Sequence, residues 1–200
     1  MADVERVVTA ADNHDDGGTP PVTQSFLPRY ENDTEALRRA FSLFPSGVVA
    51  LIARTNGEIE GMVASAFTVG VSLDPPLVSC AIRRMSNTWP RLRNASSIGI
   101  SVLAEGQGEI AREIAGSDRL RRFASAPLRH VGSDAVFVSG APVWFECTVH
   151  AEVEAGDHVV VLLEVIGVGA DPDLRPLVFH ASSFNQLLAR PDIGQTWDDD

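Results

Sequence analysis

The stretch Glu154-Ala-Gly-Asp-His-Val-Val-Val-Leu-Leu-Glu-Val165, EAGDHVVVLLEV, puts an acid and an imidazole at the mouth of an apolar run. Residues 159–165 are rich in branched side chains and bounded by turn signals, so they read as a β-strand. Residues 143–153 have the same character, which makes Gly156-Asp157 the turn of a hairpin running on to residue 168. His158 is the odd residue, because a tight turn needs no histidine there. It is either the first residue of a strand or a side chain that a rigid hairpin presents to a ligand. The stretch alone favours the plainer reading.

Strands recur on both sides of this hairpin. Residues 48–54 and 59–67 flank Asn56-Gly57, the strongest short-range hairpin signal available. Leu73-Asp74-Pro75-Pro76 breaks the chain, and 77–82 resumes as a buried strand. Further strands are expected at 98–103 and 177–179. Helices are few and short. Asp33 or Thr34 can cap one carrying Leu37, Phe41 and Phe44 on one face, stopped by Pro45 and Gly47. Ser86 can cap a turn over 89–93, and 107–115 reads as a helix. Residues 117–140 show no clear period and read as chain wandering over the surface. Many strands with short links predict a mostly β fold, an antiparallel barrel with small helical insertions.

Two hundred residues fit one ordinary domain. Residues 1–28 hold five acids and one arginine, and 191–200 hold four acids and no base, which leaves −3 of the net −11 for residues 29–190. The expected organisation is an acidic, disordered tail over 1–28, a folded domain over 29–190 and a second acidic tail over 191–200. No apolar run is long enough to span a bilayer, and the acidic N-terminus lacks the features of a signal peptide, so a cytoplasmic protein is expected. Cys80 and Cys147 lie in apolar strand-like runs without metal-ligand spacing and read as buried thiols; no metal site is expected. Nothing resembles a basic nucleic-acid stripe. All sixteen basic residues are arginine, which excludes Schiff-base and P-loop lysine chemistry.

Three stretches invite a ligand. Gly106-Gln-Gly108-Glu-Ile-Ala111 matches the dinucleotide fingerprint, but no parallel strand ending in an acid follows about twenty residues on, so it reads as a helix start. In Gly61-Met-Val-Ala-Ser-Ala-Phe-Thr-Val-Gly70 a strand interior becomes small or hydroxylic. Small residues let a ligand approach backbone N–H groups, and close packing of another strand would need them equally. Arg83-Arg84-Met-Ser86-Asn87-Thr88 sets hydroxyls at a helical turn beside arginines; a phosphate could sit there, although a capped surface turn is the simpler account.

Taken in order, FPSGV (44–48), GMVASAFTVGVSLDPPLVS (61–79), SNT (86–88), VLAEGQ (102–107) and EAGDH (154–158) resemble the short-chain flavin reductases, the reductase components of two-component flavin monooxygenases. The resemblance runs from about Phe41 to Leu187. It implies a flavin-binding split β-barrel of Greek-key-like antiparallel strands, usually a homodimer, that reduces FMN or FAD with NADH or NADPH for a partner monooxygenase. It further implies that Asp157 and His158 seat the nicotinamide, with Gly156 allowing close approach. Val63, Ala64, Ser65, Ala66 and Phe67 would line the flavin ring. Ser79, Cys80, Ala81 and Ile82 would follow the ribityl chain, and Ser86, Asn87 and Thr88 would hold the phosphate beside Arg83 or Arg84. The family often has Thr and Ser where this chain has Val63 and Ala66, and Tyr at Phe184. Each departure removes a side-chain hydrogen bond to the flavin.

Hydride transfer between two cofactors needs no nucleophile or metal from the protein, which suits the absence of a triad or carboxylate dyad. Two other classes stay open, a flavoprotein that keeps its flavin as an electron carrier and a non-catalytic flavin-binding module. A carrier would stay yellow through dialysis, and a module would not oxidise NADH when flavin is added.

Overall fold

The structure is a computed structural model that describes residues 29–119 and 121–188; both expected tails lie outside the described residues. The chain divides into Met1–Thr34 and a compact unit from Glu35 onward, and the architecture that follows is that of the second unit. In chain order the elements are α1 (Thr34–Ser42), β1 (Ser46–Gly47), β2 (Val49–Thr55), β3 (Glu58–Ala64), β4 (Phe67–Leu73) and β5 (Pro76–Arg83). Then come α2 (Trp89–Leu92), β6 (Ile98–Val102), α3 (Gly108–Ala115), β7 (Leu128–His130) and β8 (Val136–Val138). The chain closes with β9 (Val143–Ala155), β10 (His158–Ala170), β11 (Val178–His180) and β12 (Ser183–Asn185).

Seven strands form one antiparallel sheet in the order β3-β2-β6-β9-β10-β5-β4. Its two edge strands, β3 and β4, are consecutive in the chain and joined only by Ser65-Ala66. A flat sheet would hold those edges six strand spacings apart, about 28 Å. The three Cα steps from Ala64 to Phe67 reach at most about 10–11 Å, so the sheet must curl until its edges come together at the bend. The result is a barrel split along one seam, which agrees with the expected mostly β, split-barrel class. The strand expected over 59–67 breaks at Ser65-Ala66, and the residues on either side belong to strands with different partners, β2 and β5.

Bulges help the long hairpin to bend. In β9–β10 the register slips between Leu162 and Leu163 and again between Val165 and Gly167, and each such irregularity adds local twist. Asn56 (φ 53°) and Gly57 (φ 85°) turn β2 into β3 as their sequence requires. The Asp74–Pro75 peptide is cis and turns β4 into β5.

Strand alternation divides the core in two. Val49, Leu51, Val78, Cys80, Ile82, Ile98, Ile100, Val161 and Leu163 fill the curled sheet, with Trp89 and Leu92 of α2 at its end. Val48, Ala50 and Ile52 point outward beneath Ala111 and Ile114 of α3 and Val136 and Val138 of β8. Burial on both faces explains why residues 48–53 read as an unbroken apolar run. Cys80 and Cys147 are unpaired and buried, and burial pushes both thiols up to about 12.

Residues 117–140, expected to wander, contain the β7–β8 hairpin, whose Val136 and Val138 are fully buried. What holds β8 down is Gly99 in β6. A Cβ there would lie 2.2 Å from the Val136 carbonyl oxygen, so main chain meets main chain. The Gly106–Ala111 match is a helix start, as expected: α3 begins at Gly108, and Gln107 Oε1 accepts the Ala104 N–H at 2.9 Å.

We predict that Gly99→Ala costs at least 1–3 kcal/mol, the usual range for overpacking, because main chain cannot yield as a side chain can. Gly106→Ala, where a Cβ meets nothing within 4 Å, should unfold like wild type. Denaturant titration compares the two, and equal midpoints would refute the crossing.

Candidate active site

The bend at Ser65-Ala66 opens onto a groove of about 1220 Å³. Both residues are exposed. Ala66 accepts the Ala81 N–H at 2.9 Å, and among the described residues neither Ser65 nor Ala66 donates its own N–H to a main-chain carbonyl. Phe67, Ser79, Ala81 and Arg83 continue the wall. Side chains alternate across a strand, so Cys80 and Ile82 face the core, at 0% and 1% exposure, and can meet a ligand in the groove only through backbone. Val63 and Ala64 likewise pack on the two core clusters and do not line the groove.

β10 supplies the neighbouring wall. Val160 pairs with Ala81 and lines the groove, and two residues earlier His158 pairs with Arg83. Directly paired residues share a face, so His158 extends the groove face by one step beyond Val160. Its Nδ1 lies 2.7 Å from Asp157 Oδ1. A carboxylate only accepts, so Nδ1 carries the proton and Nε2 is left for another partner. The Asp157 carboxyl sits below its ordinary range, chiefly because it accepts this hydrogen bond, then through the imidazole's charge and, last, that of Arg83. Arg84 braces the same turn: its N–H reaches the Asp157 carbonyl at 3.0 Å and its guanidinium the Glu154 carboxylate at 3.0 Å.

The Ser86-Asn87-Thr88 turn is built differently from its sequence reading. Ser86 Oγ accepts the N–H groups of Thr88 (3.3 Å) and Trp89 (3.2 Å), as a cap should. Ser86 is partly exposed and Asn87 fully so, but Thr88 is buried and its hydroxyl accepts from Arg122 at 3.1 Å. Thr88 therefore faces inward. Phe184 does not line the groove; its ring packs edge-on against Phe179 at 5.6 Å, with the Arg112 guanidinium 5.0 Å from its centroid. Phe179 is the aromatic that reaches the groove.

Phe41 and Phe44 of the α1 segment form the opposite wall and are 68% and 76% exposed. They were expected on one face of a short helix, and α1 buries none of its residues. Val160 and Phe179 also escaped sequence reading. Counting by two from His158 would have found Val160, whereas nothing in the order of residues pairs Phe179 with the groove.

The family model for the flavin reductase like domain covers residues 41–188. The chain belongs to the flavin reductase family. It is 33% identical over 156 residues to the reductase component of 4-hydroxyphenylacetate 3-monooxygenase from Thermus thermophilus, covering 77% of this chain and 97% of that protein. Among solved structures, the Streptomyces globisporus NADH:FAD oxidoreductase SgcE6, in complex with NAD and FAD fragments, superposes with a TM-score of 0.73. The two are 33% identical, and the match covers 80% of this chain and 95% of that one. BorF, the flavin reductase component of a bacterial two-component tryptophan halogenase, gives a TM-score of 0.72 at 30% identity, covering 79% and 100%.

For this flavin reductase a flavin fits what the groove offers. A flavin ring calls for small side chains and N–H donors at its carbonyl edge, and the exposed Ser65-Ala66 bend offers small side chains and, among the described residues, N–H groups without a main-chain acceptor.

The depressed Asp157 carboxyl has a definite sign in pH. Its contact with His158 contributes above the ordinary Asp pKa and is lost as pH falls through the lowered folded value. A carboxyl ¹³C titration should place Asp157 below about 3.9 in wild type and return it towards that value in His158→Ala. An unchanged midpoint in the variant would show that the histidine is not the cause.

Proposed function

We propose that this protein is an NAD(P)H:flavin oxidoreductase that passes hydride from NADH or NADPH to FMN or FAD and releases reduced flavin to a partner monooxygenase. The observation that carries this is the groove itself, with the exposed Ser65-Ala66 bend on one wall and the His158-Asp157 pair at the end of the adjoining one. A bound flavin supplies the redox chemistry. The protein's work is placement.

In this reading the Ser65 and Ala66 N–H groups and the Ser65 hydroxyl hold the ring edge, while Ser79 and Ala81 leave width for the ribityl chain. Ser86, Asn87 and Arg83 face the phosphate, with Thr88 shaping their turn from within. His158 Nε2 orients the nicotinamide, and Asp157 fixes that imidazole. Holding both rings at reacting distance, roughly 3–3.5 Å, can remove about 7–11 kcal/mol of barrier at best. Val63, Ala66 and Phe184 offer no hydroxyl to the flavin, which favours a reductase that lets it go over a carrier that keeps it. Two unpaired buried thiols suit a reducing compartment, and we place the enzyme in the cytoplasm, which cell fractionation can check.

We further propose a homodimer. Val69, Val71 and Leu73 of edge strand β4 are 58%, 42% and 88% exposed. Beside them an apolar hollow of about 530 Å³ is lined by Val102, Phe145, Pro172 and Leu174. An apolar edge strand of this kind needs a cover. Light scattering at micromolar concentration should give twice the 21.4 kDa chain mass; a monomer that retains activity would refute the dimer.

The functional test is NADH oxidation with FMN, FAD or riboflavin added in turn. Wild type should turn over only when flavin is present. His158→Ala should lose on the order of 100-fold in kcat/KM for NADH, the effect of about 1 Å of misplacement. Flavin affinity should be retained, with a stability change within about 0.5 kcal/mol. Wild-type kcat/KM for NADH in that variant would make His158 merely the first residue of β10.

A further inference from the structure

The barrel seam is crossed by guanidinium groups at Glu60 and Gly61 of β3, just before the Ser65-Ala66 bend. β3 ladders only with β2, and the Ser86–Thr88 turn follows β5 from the far side of the sheet. Arg122 joins the two. Its Nη1 donates to the Gly61 carbonyl of β3 at 3.2 Å and to Thr88 Oγ1 at 3.1 Å, while Nε donates to the Gly116 carbonyl at 2.9 Å. A second tie runs parallel. Glu60 of β3, 4% exposed, receives Arg119, and Arg91 Nε of α2 lies 2.8 Å from the same carboxylate oxygen, off the line of a hydrogen bond.

Gly61 lets this bridging segment close in. A Cβ there would stand 2.8 Å from the Phe123 ring and 3.0 Å from the Leu51 carbonyl oxygen. Only a planar fork can engage three acceptors set at different angles; an ammonium on a flexible stem cannot hold the same geometry.

We propose that Arg122 is a positioning residue for flavin binding: by tying Gly61 to Thr88 it fixes the distance between the bend that takes the flavin ring and the turn that takes its phosphate. The proposal rests on the reading of those two segments given under Proposed function. Ring and phosphate are joined by a ribityl chain of limited length, so the two seats must be set apart by the right amount before the ligand arrives. Thr88 is the lever, since its buried hydroxyl meets Arg122 while the neighbouring Ser86 and Asn87 face outward.

The test measures dissociation constants of FMN and riboflavin, by quenching of flavin fluorescence, on the full chain and its variants. Wild type should prefer FMN. Arg122→Met should weaken FMN about tenfold, the scale of a lost hydrogen bond to a charged group, and leave riboflavin within twofold. Arg122→Lys should recover little of the loss, although it keeps the charge. Thr88→Val removes the same contact while sparing both carbonyls; it should narrow the FMN preference likewise and add nothing further in the double variant. It carries the test alone if Arg122→Met does not fold. An FMN preference that survives Arg122→Met or Thr88→Val, or an equal loss for FMN and riboflavin, would overturn the proposal. Equal wild-type affinities would instead remove the phosphate turn itself, and this proposal with it.

Discussion

Two residues connect strands that a flat sheet would set at its opposite edges. Ser65-Ala66 joins β3 to β4 across the whole width of a seven-stranded sheet, and the sheet can satisfy that link only by curling. The barrel interior, the seam and the groove all follow. Among the described residues β3 and β4 share no ladder of main-chain hydrogen bonds, and the N–H groups of Ser65 and Ala66 find no main-chain carbonyl at the bend. Small side chains and main chain make up much of the groove wall, with Phe41, Phe44 and Phe179 and the guanidinium groups of Arg38 and Arg83; His158, paired with Arg83, continues it.

That division of labour explains why no catalytic constellation stands out. A protein that aligns two cofactors spends its residues on distance and angle. On the proposal made above, Arg122 and Gly61 serve the same task as Ser65 and His158, although neither lines the groove.

Much of this was legible in the sequence. The β9–β10 hairpin, the Asn56-Gly57 turn and α3 carry local signals, and local signals survive folding. The resemblance gave Ser79, Cys80, Ala81 and Ile82 as one continuous run, whereas strand alternation brings only Ser79 and Ala81 of these, with Arg83, to the groove. Sequence reading failed where tertiary contact decides. Val136 and Val138 are buried only because β8 crosses β6 at Gly99, and no local pattern encodes a crossing. Thr88 looked like an outward hydroxyl until Arg122, thirty-four residues on, drew it inward. Phe41 and Phe44 have the spacing of a buried face, yet the groove, not the core, receives them. Phe184 stands where the family often has Tyr, and it packs on α3.

The central claim is that the flavin binds at the seam, and a crystal structure of the FMN complex tests it most directly. The account predicts the flavin ring against residues 65–67, with the phosphate beside Ser86 and Asn87. A flavin seated instead in the apolar hollow of Val102, Phe145 and Pro172, with the Ser65-Ala66 bend left to solvent, would contradict it.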